Sequence, residues 1–135
     1  NSSINPTFLP GRYNHLDKPR TYFKLHNVWQ IPASVSPLVR FPLFWLSFHN
    51  LPLSIYKFLA KWTYKNDGYL NIYFHPWEFV DIHAYGLPNY TIKVCQSDLF
   101  KKLNQLISDL KLHGEFISYN DYVKSQSNHT ECNPI

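Results

Sequence analysis

The stretch YLNIYFHPWEF, residues 69–79, decides the fold: its first half predicts a strand and its second half a stiff polar turn. Side chains of an extended chain point alternately to opposite faces. The two faces carry Leu70, Ile72 and Phe74 on one side, and Tyr69, Asn71, Tyr73 and His75 on the other. We expect the apolar face to pack against helices and the polar face to look into a parallel α/β barrel. His75 then lies at the carboxyl end of a strand, where such barrels keep their chemistry.

Strands and helices alternate in the rest of the chain. VWQIPASV, residues 28–35, predicts a strand, and Pro32 within it favours an edge position. A helix is expected from about Pro52 to the NDG stop at residues 66–68. Its predicted buried face is Ile55, Phe58, Leu59 and Trp62.

The C-terminal third predicts a second amphipathic helix over residues 97–111, followed by a short strand at 115–118 and a helical turn at 120–123. The helix buries a stripe of Leu99, Leu103, Leu106 and Leu110. From Ser125 onward the sequence is polar, which predicts a frayed tail.

This order predicts an α/β protein with parallel strands. Three strands are few for a closed barrel, so the chain is expected to be the C-terminal part of a larger, distorted (β/α) barrel. We expect one domain over residues 1–124 and a polar tail over 125–135.

The composition narrows the function classes. The 135 residues are 44% hydrophobic and 16% charged, which favours a globular protein. The net charge is +4, but no basic run exceeds the pair Lys101–Lys102, which argues against a nucleic-acid partner. Residues 41–56 are uncharged, yet this run is short for a membrane span and contains two prolines. We expect it to be a buried or capping loop, and membrane contact is not expected.

The chain contains no methionine and opens on Asn1, which suggests that an upstream segment has been removed or that the chain is a fragment. Cys95 and Cys132 would pair only in an oxidising compartment, and their spacing fits no metal motif.

His75 is the candidate catalytic residue. An imidazole changes its charge near neutral pH, which suits it to proton transfer at a strand end. The alternative is a hydrogen-bonded histidine without a catalytic role, and the pattern alone leaves both interpretations open.

The motif IYFHPWEFVDI, residues 72–82, resembles the segment that carries the catalytic histidine in polysaccharide deacetylases of the NodB-homology type, carbohydrate esterase family four. It is most similar to the subgroup whose last motif reads HPWE. The resemblance extends to residues 1–14, 28–37, 86–110 and 114–123. One difference is Asp81, the acidic residue after the motif, which falls one position late behind Val80.

The resemblance implies a distorted (β/α) barrel that hydrolyses N-acetyl groups of amino sugars in a glycan. In such enzymes a divalent metal, usually zinc, is held by one Asp and two His, and a second Asp is the base. The histidine that matches His75 protonates the leaving nitrogen and helps to stabilise the tetrahedral intermediate.

The metal and base motifs of that family are missing. The chain has no Asp-Asp pair and no two histidines four residues apart, and His49 and His83 are predicted to be surface or loop residues rather than ligands. We therefore expect a missing N-terminal half as the partner of this chain, and self-association through the face that half would cover. The chain alone is predicted to bind no catalytic metal and to release no acetate.

Four further residues are candidates for the substrate site, each with a structural alternative. Trp77 would form a wall of the sugar pocket, and Glu78 would orient His75 or anchor the loop; for both the alternative is simple packing. Trp29 would reach the pocket or else belong to the core. Arg12 would contact substrate or tie down its own loop.

Two functional hypotheses remain open. The first is part of a metal-dependent polysaccharide deacetylase, and the second is a non-catalytic carbohydrate-binding or assembly module derived from that fold. An in-frame Asp-Asp and His-x-x-x-His segment upstream of Asn1 would favour the enzyme. The compartment stays open between a bacterial cytoplasm and a cell envelope.

Overall fold

The structure, a computed structural model, describes residues 4–11, 14–81, 83–91 and 96–130. Within those ranges two strands precede four α-helices. They are β1 (Phe23–Leu25), β2 (Val28–Gln30), α1 (Trp45–Asn50), α2 (Leu53–Asp67), α3 (Gln96–Leu110) and α4 (Tyr119–Thr130). Short 3₁₀ turns occupy Pro76–Phe79, His83–Tyr85 and Asn89–Thr91.

The two strands form an antiparallel hairpin in which Phe23 pairs with Gln30. His26 and Asn27 connect them, with φ of 46° and 62°. Positive φ at both central residues is the geometry of a tight hairpin turn, and Asn tolerates it well. The strand predicted over residues 28–35 is therefore shorter than expected, and its partner is the segment before it rather than a parallel strand.

Residues 69–75 do not form a regular strand. Ser34 N–H donates to the Asn71 carbonyl at 2.9 Å, but the Ser34 carbonyl accepts from Leu43 N–H instead. Asn71 N–H consequently donates to the Ser34 hydroxyl at 2.8 Å. The Asn71 amide adds hydrogen bonds of 3.0 Å to the carbonyls of Ile31 and Pro32. Side-chain hydrogen bonds thus hold this segment where a parallel ladder was predicted.

The predicted strand at residues 115–118 is wrong. This segment is irregular, and its large side chains Phe116 and Ile117 are exposed. Aromatic and β-branched residues favour a strand only where a neighbouring strand offers packing and hydrogen bonds.

Helix α4 begins directly after that segment and is longer than the predicted turn. The Ser118 hydroxyl accepts the N–H of Asp121 at 3.2 Å and donates to its carboxylate at 2.6 Å, which caps the helix. The helix continues through the position, 125, where the polar tail was expected to begin.

Helix α2 has nearly the predicted bounds but a different buried face. It ends where Gly68 adopts φ of 75° and donates to the Tyr64 carbonyl. Its buried residues are Tyr56, Ala60 and Thr63, whereas Ile55 and Phe58 are exposed. Of the predicted face, Leu59 packs against the core.

Helix α3 confirms the predicted leucine stripe. The core consists of Leu43, Phe48, Tyr56, Ala60, Leu99 and Leu106. Packed against it are Leu51, Leu53, Leu59, Leu70, Ile72, Phe74, Phe79, Leu103 and Leu110. Leu70, Ile72 and Phe74 therefore face the helices, as the alternation of residues 69–75 predicts.

The mixed α/β class predicted from the sequence is confirmed at that level, with more helix than strand. None of the helices in the described ranges is both long and apolar enough to cross a membrane.

Candidate functional site

The turn Pro76–Phe79 folds Glu78 back onto His75. Pro76 occupies the first position of the turn, where its fixed φ suits a helical start. The Glu78 carboxylate then accepts the backbone N–H of His75 at 2.5 Å. The same oxygen, Oε1, lies 3.0 Å from Nδ1 of the His75 ring. The sequence HPWE therefore positions a carboxylate against its own histidine.

A second histidine, His49 of helix α1, contacts the other side of this carboxylate. Its Nε2 lies 3.3 Å from Oε2 of Glu78. The side chains of Glu78 and His49 are 0% and 2% exposed, whereas that of His75 is 40% exposed. The three residues form a row that runs from the protein interior to the surface.

Helix α1, which carries His49, is held at both ends. At its start Phe44 N–H donates to the Ser47 hydroxyl at 3.1 Å, and that hydroxyl donates back to the Phe44 carbonyl. At its end Lys102 of α3 donates to the carbonyls of Phe48 and Leu51. A cation at a helix C-terminus is favourable because the carbonyls there carry partial negative charge.

Aromatic rings surround the exposed end of the row. The ring of Trp77 stacks on the His75 imidazole, with centroids 5.5 Å apart and planes 19° apart. Trp45 contacts His49, His75 and Trp77 edge to face, at 5.1 to 5.9 Å. Tyr73 contacts His75 at 5.5 Å. The imidazole is therefore restrained by its neighbours while part of it faces solvent.

Two phenols near Glu78, those of Tyr56 and Tyr73, stay protonated at neutral pH. Burial, with a smaller effect of the Glu78 charge, raises the pKa of Tyr56 well above its usual range. Burial also raises the pKa of Tyr73, opposed by a hydrogen bond from Asn5 and reinforced by Glu78.

This geometry can direct a proton. A carboxylate on one ring nitrogen holds an imidazole in one tautomer and stabilises the imidazolium form. With Glu78 on Nδ1, the nitrogen of His75 that remains for a substrate is Nε2.

The structure brings together three of the residues predicted for the site: His75, Trp77 and Glu78. Trp29 lies in a second aromatic cluster, where its ring is 5.8 Å from that of Tyr22 and the Lys24 ammonium is 5.4 Å from its centroid. Arg12 lies outside the described residues.

Sequence reasoning missed His49 and Trp45. His49 was predicted to be a surface or loop residue, but the chain around it forms helix α1 and buries it against Glu78. A signal was present, because Trp45 and His49 are four residues apart and such residues share a helix face. The prolines at positions 42 and 52 favoured a loop in this segment, so the short helix between them was not predicted. The side chain of His83 is not among those that the structure describes.

The zinc ligands of the resembled family are expected outside this chain. Among the described residues no three His, Cys, Asp or Glu side chains are grouped so that they could hold a metal ion. His49 and His75 approach different oxygens of Glu78 and therefore do not converge on one point.

Comparisons of the chain with protein-family models, with curated proteins and with solved structures found no match. The support for a function therefore comes from the geometry around His75 and from the resemblance of its motif.

Proposed function

We propose that this chain is the proton-donating part of a carbohydrate N-deacetylase, a hydrolase that removes N-acetyl groups from the amino sugars of a glycan. In this proposal it forms the C-terminal part of a distorted (β/α) barrel, and another segment supplies the remainder. One observation carries the proposal: Glu78 holds Nδ1 of a half-exposed His75 within the HPWE motif.

The chemistry requires such a group. When an N-acetyl amide is hydrolysed, the C–N bond breaks and the amine must leave, which it does readily only if it gains a proton. His75 Nε2–H donates that proton to the leaving nitrogen, and Glu78 stabilises the imidazolium from which it comes. A divalent metal, zinc by the resemblance, would be held by residues outside this chain and would supply the activated water.

Trp77 and Glu78 have different roles in this proposal. The Trp77 side chain is exposed beside His75, and an indole offers an apolar face to the C–H face of a sugar ring. Glu78 is completely buried, which favours orienting His75 over direct contact with a glycan. Trp29 lies in the cluster with Tyr22, and we assign it no contact with the reacting group.

The test uses the complete protein encoded by the reading frame that contains this chain, with added zinc and an N-acetylated chito-oligosaccharide. His75→Ala is expected to lower kcat by roughly 10²- to 10⁴-fold, the usual contribution of general acid–base catalysis. Bound metal should not change. His15→Ala is the matched control, because His15 is an exposed histidine remote in sequence from the turn, and it should keep full activity.

Near-normal kcat in His75→Ala would remove His75 from the mechanism. No acetate release from the unmodified complete protein would overturn the proposed enzyme. The 135-residue chain alone is expected to release no acetate.

The second candidate function is a non-catalytic carbohydrate-binding module, and one observation favours it. A cavity of about 530 Å³ lies at the end of residues 69–75 remote from His75. Its aromatic lining is Tyr64, Tyr69, Phe116, Tyr119 and Tyr122. Glycan binding that is lost in Tyr119→Ala but kept in His75→Ala, without acetate release, would support the module instead.

A further inference from the structure

The second oxygen of Glu78 contacts a residue that the proposed chemistry does not use. The backbone N–H and Nδ1 of His75 both approach Oε1, whereas His49 Nε2 approaches Oε2. An ionised carboxylate without exposure to water is strongly unfavourable unless its oxygens accept hydrogen bonds. His49 supplies the donor on the side that His75 does not reach.

We propose that His49 is a positioning residue, which holds Glu78 in the orientation that keeps a proton on Nδ1 of His75. Loss of the His49 donor leaves Oε2 buried without its hydrogen bond. The carboxylate then gains by rotating toward water or by taking up a proton, and either change weakens the contact with His75 Nδ1.

The surroundings of His49 define which of its nitrogens carries the proton. Nε2 faces a carboxylate oxygen and must donate, so Nε2 carries hydrogen. Nδ1 is buried and has no hydrogen-bond partner among the described residues. The Nε2–H tautomer places a lone pair at Nδ1 and avoids a buried unpaired N–H, which is rare in proteins. Trp45, edge to face with the ring at 5.9 Å, restrains its rotation.

The same hydrogen bonds set the tautomer of His75. Free histidine in water prefers the Nε2–H tautomer, whereas donation to Glu78 requires Nδ1–H in His75. The tautomer of His75 therefore reports whether Glu78 is held in place. This readout needs no catalytic activity, although the expected effect of His49 on turnover rests on the proposed function.

The first experiment measures the ring ¹⁵N shifts of His75 by NMR in the ¹⁵N-labelled chain, at a pH where the imidazole is neutral. The unmodified chain should show Nδ1–H. His49→Leu, which removes the donor, should shift His75 toward Nε2–H, and Glu78→Ala, which removes the acceptor of Nδ1–H, should do the same. An unchanged tautomer in folded His49→Leu would overturn the proposal.

A second pair of variants covers the case in which His49→Leu does not fold. The terminal amide of Gln reaches about as far as Nε2 of histidine, whereas that of Asn is one methylene shorter. His49→Gln should therefore keep the Nδ1–H tautomer of His75, and His49→Asn should lose it. Equal tautomers in these two polar variants would also refute the role of His49.

The complete protein provides the kinetic arm. His49→Asn should lower kcat on the order of 10- to 100-fold with little change in KM, the size of effect known for partners that orient metal-bound histidines. His49→Gln should restore most of kcat. Equal kcat values in the two variants would contradict a positioning role. If the unmodified protein releases no acetate but the tautomers respond as expected, the proposed function fails and the role of His49 stands.

Discussion

Removal of the Glu78 carboxylate should destabilise the protein, and the structure indicates by how much. In Glu78→Ala the His75 backbone N–H and His49 Nε2–H lose their acceptor. An unsatisfied donor that is fully buried costs about 1–3 kcal/mol, so about 2–6 kcal/mol is the upper range for the two together, because the His75 N–H is only part-buried. The buried carboxylate also carries a desolvation cost that the variant no longer has. The expected loss in the free energy of unfolding is therefore in the lower half of that range, about 2–4 kcal/mol.

Urea unfolding followed by far-UV circular dichroism measures this loss. Helix signal is preferable to tryptophan fluorescence, because Trp45 and Trp77 lie in the site and would respond to the substitution itself. With an m-value of about 2 kcal/mol/M, the midpoint should fall by about 1–2 M urea. Glu115→Ala is the matched control, because it removes an exposed carboxylate and should change stability by less than about 0.5 kcal/mol.

The free energy of unfolding of Glu78→Gln should lie between those of Glu78→Ala and Glu115→Ala. The glutamine amide oxygen still accepts from His75 N–H, but its NH₂ group faces His49 Nε2–H. His49 relieves this donor–donor contact by moving its proton to Nδ1, so the variant should lose less stability than Glu78→Ala. Equal midpoints for Glu78→Ala and Glu115→Ala would refute the reasoning, since they would mean that the buried hydrogen bonds of Glu78 add no stability.

Two other substitutions test how the scaffold supports the site. Phe48→Ala empties a fully buried position between Tyr56 and Phe74, whose ring centroids are each 5.0 Å from that of Phe48. The free energy of unfolding, measured by urea titration, should fall by about 3–5 kcal/mol. A loss below about 1 kcal/mol would contradict the packing. Arg20→Met removes the guanidinium that lies 2.6 Å from the Asp67 carboxylate, whose side chain is 3% exposed. The variant should lose about 2–4 kcal/mol of the free energy of unfolding at pH 7. This loss is smaller than for a fully buried ion pair, because the Arg20 side chain is 21% exposed. Burial raises the pKa of Asp67, and Arg20 opposes that rise. Without Arg20, the pKa of Asp67 in the folded variant therefore lies further above its value in the unfolded chain. Since stability from a group with a raised pKa falls as pH increases through it, the Arg20→Met penalty should shrink from pH 7 to pH 4, and a penalty that grows toward pH 4 would contradict the pairing.

The sequence by itself determined helices α2 and α3 and one local contact of the site. Helices α2 and α3 follow from hydrophobic spacing and end signals, which act within a few residues. The alternation in residues 69–75 correctly placed Leu70, Ile72 and Phe74 against the helices. The contact between Glu78 and His75 is also local, because the two residues are three apart and a proline begins the turn between them.

The tertiary structure decided the features that depend on residues far apart in the chain, namely strand pairing, the buried face of α2 and the position of His49. Residues 69–75 and 115–118 have strand-like sequences, but a strand requires a neighbour with free backbone groups, and Leu43 has already taken the Ser34 carbonyl. The buried face of α2 depends on which neighbours pack against it, so Tyr56, Ala60 and Thr63 are buried there, whereas Ile55 and Phe58 of the predicted face are exposed. His49 is 29 residues from Glu78. Only the packing of helix α1 under the HPWE turn brings its imidazole to the carboxylate, because a histidine becomes a hydrogen-bond partner through the fold around it rather than through its position in the sequence.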